Sequence, residues 1–300
     1  MTLELHLCDV FADRPLTGSS LTAVVHDEPL APAVMQEITR ELRQFETIFL
    51  HATDDAELYE TRVFDLHREL DFAGHPVLGA AAVLHHLYRD ADGEARWRLR
   101  IRQRVIPVRT TRGPHAGSFV AQMNQGAPAF STVADPGQRS RAIAAFSLAD
   151  TQLLRHAPVE VVSTGLRYMI VPITSGLADA RIAPALLAGL LDELDAEFAY
   201  IVDINRRAGR HWENDGSAED IATGSAAGAL GAYLVRHGLA QADEPIILSQ
   251  GEFVGRPSHL HVKVSATPTG IMQVELAGPV RLVAHGTFTS GFGNVAPTAG

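Results

Sequence analysis

The sequence predicts an α+β protein made of two similar halves, each with one helix buried at its centre. Strand-like segments with alternating or β-branched residues recur along the chain, with few helical segments between them. Two of those helical segments are apolar on nearly every face, as buried helices are. They resemble each other at an offset of 150 residues in a chain of 300 residues. A repeat of that size indicates duplication of a whole domain.

The first half begins with a predicted strand at 3–11, where polar and apolar residues alternate. A helix is predicted at 32–42, because Pro32 suits a first turn and apolar residues follow at helical spacing. The buried helix begins near Pro76 and runs to about Tyr88. Four further strand segments are predicted at 47–50, 58–64, 96–109 and 118–123.

The second half repeats this order of elements. Its buried helix begins near Ser225 and runs to about His237, with Gly238 as the stop signal. Gly74 aligns with Gly224, and the two helices continue without a gap for ten residues. A second helix is predicted at 183–194, and strands are predicted at 159–163, 168–173, 198–203, 245–249, 260–264 and 272–277.

The boundary between the halves is expected at 122–136, where Gly and Pro cluster. The predicted division is therefore an N-terminal half at 1–122 and a C-terminal half at 123–285. Residues near 285–295 are a candidate completion of the first half, and the Gly/Pro/Ala-rich tail after Gly291 is expected to be disordered.

Composition narrows the class of function. A net charge of −10 argues against non-specific nucleic-acid binding, yet it allows an anionic metabolite in a locally positive cleft. The single cysteine, Cys8, excludes a disulfide within the chain and fits a reducing compartment. The N-terminus lacks the features of a signal peptide, and no apolar stretch reaches the ~20 residues of a membrane span. We therefore expect a cytoplasmic protein that does not bind membranes.

The starts of the two buried helices are the predicted site. A helix N-terminus offers unpaired N–H groups and partial positive charge, so two such ends facing one cavity would hold a carboxylate or enolate. Gly74 and Gly224 would let a ligand approach the backbone, with His75, Ser225 and Asp220 as its partners. The sequence leaves two alternatives open: Ser225 and Asp220 as capping residues only, and His75 as a packed structural histidine.

Glu46 is the candidate proton carrier. It lies between Phe45 and Phe49, and a carboxyl group in apolar surroundings is a candidate for a raised pKa. A group tuned in this way serves as both general acid and general base. On pattern alone, a solvent-exposed glutamate at a strand edge is the alternative.

Several short motifs occur in order along almost the whole chain. They are Asp9-Val10-Phe11 with Pro15-Leu16-Thr17-Gly18, Glu46-Thr47, the segment from Glu69 to Pro76, Ser163-Thr164-Gly165-Leu166, the segment from Glu219 to Ala226, Gln250-Gly251, and Gly255-Arg256-Pro257-Ser258. Together they resemble the PhzF-like family, the phenazine-biosynthesis type of isomerase.

The resemblance implies a fold similar to diaminopimelate epimerase, in which each half is a curved, mostly antiparallel, barrel-like sheet around a central helix. It also implies a homodimer that acts on a small molecule without metal or organic cofactor. The implied function is proton transfer with a double-bond shift on a small carboxylate or amino-acid-like metabolite; the family prototype acts on a dihydro-hydroxyanthranilate.

The family's catalytic positions map onto Glu46, as acid and base, and onto three residues that bind and orient the substrate: His75, Asp220 and Ser225. The expected substrate-binding positions are Gly74, Gly224, Thr223 and Ser19. Two departures leave the substrate open. The family usually has Gly-Asn-Pro where this chain has Gly18-Ser19-Ser20, and it usually has Pro at the position of Ile221.

Two other functions remain as alternatives. One is a two-base epimerase. The resemblance implies that such enzymes carry a pair of thiols, one at the start of each central helix; here the matching positions are Ala73 and Thr223. The other is a metabolite-binding protein without catalysis. Arg256 is a candidate either for holding a carboxylate or for pinning strands.

Three further motifs are dismissed. The serine in Gly224-Ser225-Ala226-Ala227-Gly228 is one place too early for a nucleophile elbow. Ala226 stands where a dinucleotide loop needs its first glycine. The histidines at 85–86, 259 and 261 have no evident metal-binding partner, so no metal site is predicted.

Overall fold

The chain folds into two units in the computed structural model, which describes residues 3–71, 74–268 and 270–289, without the side chains of 271 and 272. The first unit is formed by Met1–Met123 together with Ala277–Gly300, and the second by Asn124–Leu276. The chain thus returns to the first unit at Ala277, earlier than the 285–295 expected from the sequence. The predicted disordered tail after Gly291 lies outside the described residues.

The described residues of the first unit form two helices, α1 (Pro32–Leu42) and α2 (Gly74–Arg89). The strands up to the unit boundary are β1 (Leu3–Val10), β2 (Ser19–His26), β3 (Glu46–Ala52), β4 (Leu58–Asp65), β5 (Glu69–Leu70), β6 (Glu94–Ile101), β7 (Arg104–Arg112) and β8 (Ser118–Gly126).

In the described part of the second unit there are three α-helices, α3 (Pro136–Ala144), α4 (Pro184–Leu194) and α5 (Gly224–Arg236). Its strands are β9 (Ala129–Val133), β10 (Glu160–Ser163), β11 (Arg167–Ile173), β12 (Phe198–Asp203), β13 (Ala208–Arg210), β14 (Pro245–Gln250), β15 (Ser258–Thr267) and the beginning of β16 (Gly270–Thr287).

The first unit is a closed barrel of eight strands in the order β1-β2-β3-β4-β6-β7-β8-β16, with β16 pairing back to β1. Two pairings are parallel, β2 with β3 and β4 with β6. Helix α2 packs against five of these strands and is buried from His75 to His85. Closure removes the free sheet edges that would otherwise be open to pairing.

From β10 onward, the second unit follows the order of the first: two strands, a helix, two strands, the apolar helix, then three strands. The first unit differs by the additional two-residue strand β5 before its apolar helix, and the second by β9 and α3 at its beginning. The two parallel pairings of the second unit, β11 with β12 and β13 with β14, occupy the same places in that order. Helix α5 packs against β10, β11 and β15. The predicted α+β fold of two similar halves, each with a buried helix, is confirmed.

Both apolar helices form for local reasons that the sequence shows. Pro76 lies in the first turn of α2, where its missing N–H costs no helical hydrogen bond. After α5, Gly238 takes a φ of 67°, a left-handed conformation that ends helices at little cost in glycine. None of the helices in the described part of the chain is both long and apolar enough to cross a membrane.

Candidate active site

Glu46 and His75 come together in the first unit. Glu46 is the first residue of β3, and His75 is the second residue of α2. The His75 Nε2 atom lies 3.3 Å from the Glu46 Oε2 atom, with side-chain exposures of 9% and 12%. The structure therefore pairs a carboxyl group with an imidazole in near-complete burial, and Glu46 is not the solvent-exposed glutamate of the alternative.

This pair is suited to moving a proton. Proton transfer needs heavy atoms within about 2.6–3.2 Å, and such contacts are often longer without substrate. Both groups stand at the start of the 16-residue helix α2, whose partial positive charge favours a carboxylate nearby. The carboxyl group and the imidazole therefore lie at a distance from which a proton can pass between them.

Ser19 begins the strand next to Glu46. Strands β2 and β3 are parallel, with Thr22 opposite Thr47, so Ser19 and Glu46 lie at the same end of the sheet. Ser19 is only 3% exposed, and the hydroxyl of the following residue, Ser20, donates to the Gln44 side chain at 3.0 Å. This bond connects the start of β2 with the residues that precede β3.

The described surroundings leave space at Gly74. A Cβ added there would meet Met123 Cε at an ordinary 3.7 Å. Gly18 differs, because its φ is +66° and an added Cβ would lie 2.3 Å from the Val10 carbonyl oxygen. Gly18 is therefore required by the backbone, whereas Gly74 remains a proposed point of ligand approach.

Asp220 and Thr223 come together in the second unit, ahead of α5. The Thr223 hydroxyl donates to Asp220 Oδ2 at 2.6 Å. Gln250 connects both residues: its amide nitrogen donates to the Asp220 carbonyl and to the Thr223 hydroxyl oxygen, each at 2.9 Å. Its amide oxygen accepts from the Thr223 N–H and from the Tyr200 hydroxyl. The carboxylate is held by a connected network.

Ser225 has a different partner. Its hydroxyl lies 2.7 Å from the phenol oxygen of Tyr168. Burial raises the pKa of Tyr168, and the negative charge of Asp220 raises it further, while the bond to Ser225 opposes the shift. The phenol therefore stays neutral at ordinary pH and can serve Ser225 as a donor or an acceptor.

The capping alternative fails for both residues. The N-cap of α5 is Thr223, and the Thr223 side chain makes no capping hydrogen bond; its carbonyl accepts the helical N–H of Ala227. The Asp220 carboxylate accepts from the Thr223 hydroxyl and, at 3.4 Å, from the N–H of Ala222, which precedes the helix, and the Ser225 hydroxyl meets Tyr168. The Gly224 carbonyl accepts from the Gln125 side chain at 3.0 Å.

The segment from Gln250 to Ser258 packs against the residues that precede α5. Gly251 has a φ of +80°, and an added Cβ would lie 2.3 Å from the Arg256 carbonyl oxygen and 2.7 Å from that of Ile221. The Arg256 N–H donates to the Gly251 carbonyl at 3.0 Å. Gly251 therefore permits the close approach of two chain segments beside Asp220, which explains that part of the sequence motif.

Other residues that the sequence analysis named have structural surroundings. Asp71 precedes the first buried helix as Asp220 precedes the second. Its side chain is 88% exposed and pairs with Arg102 at 2.9 Å. His85 is buried against Thr110 and the Asp92 carbonyl. Cys8 is fully buried, and burial raises the pKa of its thiol. Across the described residues, no three His, Cys, Asp or Glu side chains are grouped to hold a metal ion.

Sequence reasoning missed Tyr168, Tyr200 and Gln250 as members of this arrangement. Gln250 was singled out as part of a motif, and the dense bonding around it gives that motif a physical role. For the two tyrosines, the available signal was their place in consecutive buried strands of the repeat, β11 and β12.

Known proteins are similar to this chain in sequence and in fold. The family model for phenazine biosynthesis-like proteins, PhzC-PhzF, matches residues 8–286. A trans-2,3-dihydro-3-hydroxyanthranilate isomerase from Pseudomonas aeruginosa is 30% identical over 285 residues, covering 93% of this chain and 96% of the relative. A solved structure from Pseudomonas aeruginosa, named as a predicted epimerase, is 45% identical with a TM-score of 0.85, covering 96% of this chain and 99% of that one.

A more distant structure shares the fold alone. A probable proline racemase from Agrobacterium radiobacter is 11% identical with a TM-score of 0.55, covering 99% of this chain and 95% of that one. The family match spans nearly the whole chain, and its curated relatives are named isomerases. The chain therefore belongs to the PhzC-PhzF family of phenazine biosynthesis-like proteins and is an isomerase.

Proposed function

We propose that this isomerase moves a proton within a small carboxylate or amino-acid-like metabolite, without a cofactor, and that Glu46 carries the proton. The single observation that supports this most is the contact of Glu46 with His75 at 3.3 Å, both nearly buried, at the start of α2. A buried carboxyl–imidazole pair beside a helix N-terminus is an arrangement for acid–base chemistry.

In the proposed reaction, ionised Glu46 removes a proton from a carbon next to an electron-withdrawing group. The electron pair of the broken C–H bond enters the substrate's π system, and the double bond shifts. Glu46 then returns its proton to a different carbon, so that no atom or electron is gained or lost. His75 donates to the substrate or to Glu46 and stabilises the negative charge that develops.

Asp220 and Ser225 are proposed to bind and orient the substrate. Asp220 presents a carboxylate held by Thr223 and is suited to an amino group. Ser225 presents a hydroxyl supported by Tyr168 and is suited to a carboxylate or hydroxyl group. Gly74, Gly224, Thr223 and Ser19 are the proposed positions of close ligand approach. The named substrate of the curated relatives carries amino, hydroxyl and carboxylate groups, so it is the first compound to test.

The test is NMR in deuterium oxide with cyclic and acyclic amino-acid dienes, including trans-2,3-dihydro-3-hydroxyanthranilate. We expect wild-type enzyme to shift a double bond or incorporate deuterium, and Glu46→Gln to lose about 10²- to 10⁴-fold in rate, the usual share of general acid–base catalysis. Glu37→Gln, at an exposed position of α1, is the matched control and should keep its activity. Full turnover by a folded Glu46→Gln protein would overturn the proposed role.

The same spectra separate this function from its two alternatives. Deuterium incorporation with inversion at one carbon, and no double-bond shift, would indicate epimerisation instead. A two-thiol mechanism has little support, because Thr223 replaces one thiol and Cys8 is fully buried; Ala73 lies outside the described residues. We expect Cys8→Ala to retain activity. Stabilisation by a metabolite without turnover would favour the binding-protein alternative.

We further propose that the enzyme is a homodimer of the cytoplasm, as its family resemblance and its composition suggested. Light scattering coupled to gel filtration checks the dimer: a mass near twice the 32.3 kDa of the chain is expected. A mass equal to one chain would contradict it.

A further inference from the structure

Two equivalent arginine–glutamate pairs precede the two site helices. In the first unit, Arg62 donates from Nε and Nη2 to the two oxygens of Glu69, at 2.8 and 2.6 Å. In the second unit, Arg210 donates from Nε and Nη2 to the two oxygens of Glu219, at 2.8 and 2.6 Å. Each pair is bidentate, which fixes orientation as well as distance.

The pairs occupy the same place in the duplicated sequence. Each glutamate stands five residues before the glycine that opens its helix, as Glu69 does before Gly74 and Glu219 before Gly224. Each arginine lies over the aromatic ring two residues further on, at 5.6 Å for Phe64 and 4.4 Å for Trp212. In both units that aromatic residue is the backbone partner of the glutamate, between β4 and β5 in the first unit and through an isolated antiparallel β-bridge in the second.

The second pair is held far more firmly than the first. Side-chain exposure is 6% for Arg210 and 9% for Glu219, against 35% and 18% in the first pair. Arg210 also lies 4.5 Å from the Phe253 ring and donates to the carbonyls of Leu177 and Ala180. The first pair is looser: Glu69 is shared with Arg102 at 3.6 Å and lines an open cavity of about 320 Å³.

The buried pair is directly connected to Asp220. Glu219 is the preceding residue, and the Asp220 N–H donates at 2.9 Å to the carbonyl of His211, which follows Arg210. The backbone of Asp220 is therefore hydrogen-bonded to the segment that carries Arg210, and the side chain of the preceding residue, Glu219, is bound by Arg210. A shift of Glu219 would move Asp220 away from the Thr223 hydroxyl.

We propose that Arg210 is a positioning residue for Asp220, acting through Glu219 and setting where the carboxylate meets the substrate. The inference rests on the proposed role of Asp220 and adds the device that orients it. Arg62 is its weaker counterpart ahead of His75, kept from the duplication.

The kinetic test replaces Arg210 with lysine, which keeps the charge but loses the planar fork and its stacking. We expect kcat per folded molecule to fall about 100-fold, the effect of misplacing a group by roughly 1 Å, with a much smaller change in KM. Arg141→Lys is the matched control: Arg141 forms an exposed bidentate pair with Glu193, at 2.8 and 2.5 Å, between α3 and α4. That variant should keep wild-type kcat.

Glu219→Gln provides the graded comparison, because it retains the length and one acceptor oxygen of glutamate. Its kcat should lie between those of wild type and Arg210→Lys. It also serves as the second variant if Arg210→Lys does not fold. A purely structural role would lower stability in both variants while leaving kcat per folded molecule unchanged, and that result would overturn the proposal.

A crystal structure of Arg210→Lys, or of Glu219→Gln, tests the positioning without any substrate. The Thr223 Oγ1–Asp220 Oδ2 distance, 2.6 Å here, should exceed about 3.5 Å, beyond hydrogen bonding. An unmoved Asp220 would overturn the inference even if the enzyme proves to be an isomerase of the proposed kind. A moved Asp220 in a protein that isomerises no tested compound would support the inference and leave only the proposed reaction in doubt.

Discussion

The starts of α2 and α5 share a scaffold but differ in chemistry. The order of strands around them is the same, and each is preceded by an arginine–glutamate pair. At α2, two ionisable side chains, Glu46 and His75, face each other from different elements. At α5, a single carboxylate is surrounded by hydroxyl and amide groups. The two helix starts thus occupy equivalent positions, and among the described residues that surround them a carboxyl group faces an imidazole at the first.

After the loss expected for Glu46→Gln, the largest effect distinguishes the start of α2 from the start of α5. His75→Gln should lower kcat by about 10²- to 10³-fold, because it removes the titratable partner of Glu46. Ser225→Ala should lower kcat/KM by about 10-fold, since it removes one substrate hydrogen bond of 1–2 kcal/mol. Steady-state kinetics on both variants measures the loss of kcat and of kcat/KM in each.

Equal losses of kcat in His75→Gln and Ser225→Ala would break the comparison, because the Ser225 hydroxyl would then contribute as much to the chemical step as the His75 imidazole. A larger loss in Ser225→Ala would reverse it and assign proton transfer to the second unit.

The next effect concerns stability at α5. Gln250→Leu removes the group that satisfies the Thr223 N–H, the Asp220 carbonyl and the Tyr200 hydroxyl. Leaving buried polar groups unpaired costs about 1–3 kcal/mol each, so the free energy of unfolding should fall by at least about 2 kcal/mol. Gln44→Leu is the control at β3, where a half-buried side chain loses a single bond from Ser20. Urea unfolding that shows equal losses would contradict the prediction.

The smallest effect is a pH dependence that belongs to the second unit. The pKa of Tyr168 is raised above 10.0 in the folded protein by burial. Above about pH 10 the unfolded chain releases this phenolic proton while the folded chain keeps it, so rising pH favours unfolding. Stability from this group is therefore complete below pH 10 and is lost above it, by at most about 1.4 kcal/mol per pH unit.

Tyr168→Phe removes this contribution, so its free energy of unfolding should decline less steeply than that of wild type between pH 10 and 11.5. Urea unfolding at successive pH values measures both slopes. Parallel slopes would show that Tyr168 ionises as readily in the folded protein as in the unfolded chain.

Much of the fold could be predicted because its helices carry strong local signals. The bounds of α1 were predicted to the residue, and α4 began one residue later than expected. Strand β2 was missed because its sequence, SSLTAVVH, is buried on both faces and shows no alternation. Helix α3 was missed because its polar sequence has no apolar period, although Asp135 and Gln138 form a capping box that the sequence does display.

The site was predictable residue by residue but not as an arrangement. Glu46 and His75 are separated by most of β3, β4 and β5, so only the folded barrel brings them to 3.3 Å. Ser225 was predicted, but its partner Tyr168 depends on which strand α5 packs against. The arginine–glutamate pairs left a readable trace, an arginine two residues before an aromatic residue in both halves, that gains meaning only once the strands pair.

The path of the last strand has a consequence for how the chain folds during synthesis. The second unit is continuous from Asn124 to Leu276, whereas the barrel of the first unit is closed by residues after Ala277. A ribosome therefore releases every residue of the second unit before it releases the strand that completes the first. Of the two units, the one whose synthesis starts first is completed last, and Glu46 and His75 gain their closed surroundings only after the whole second unit has been made.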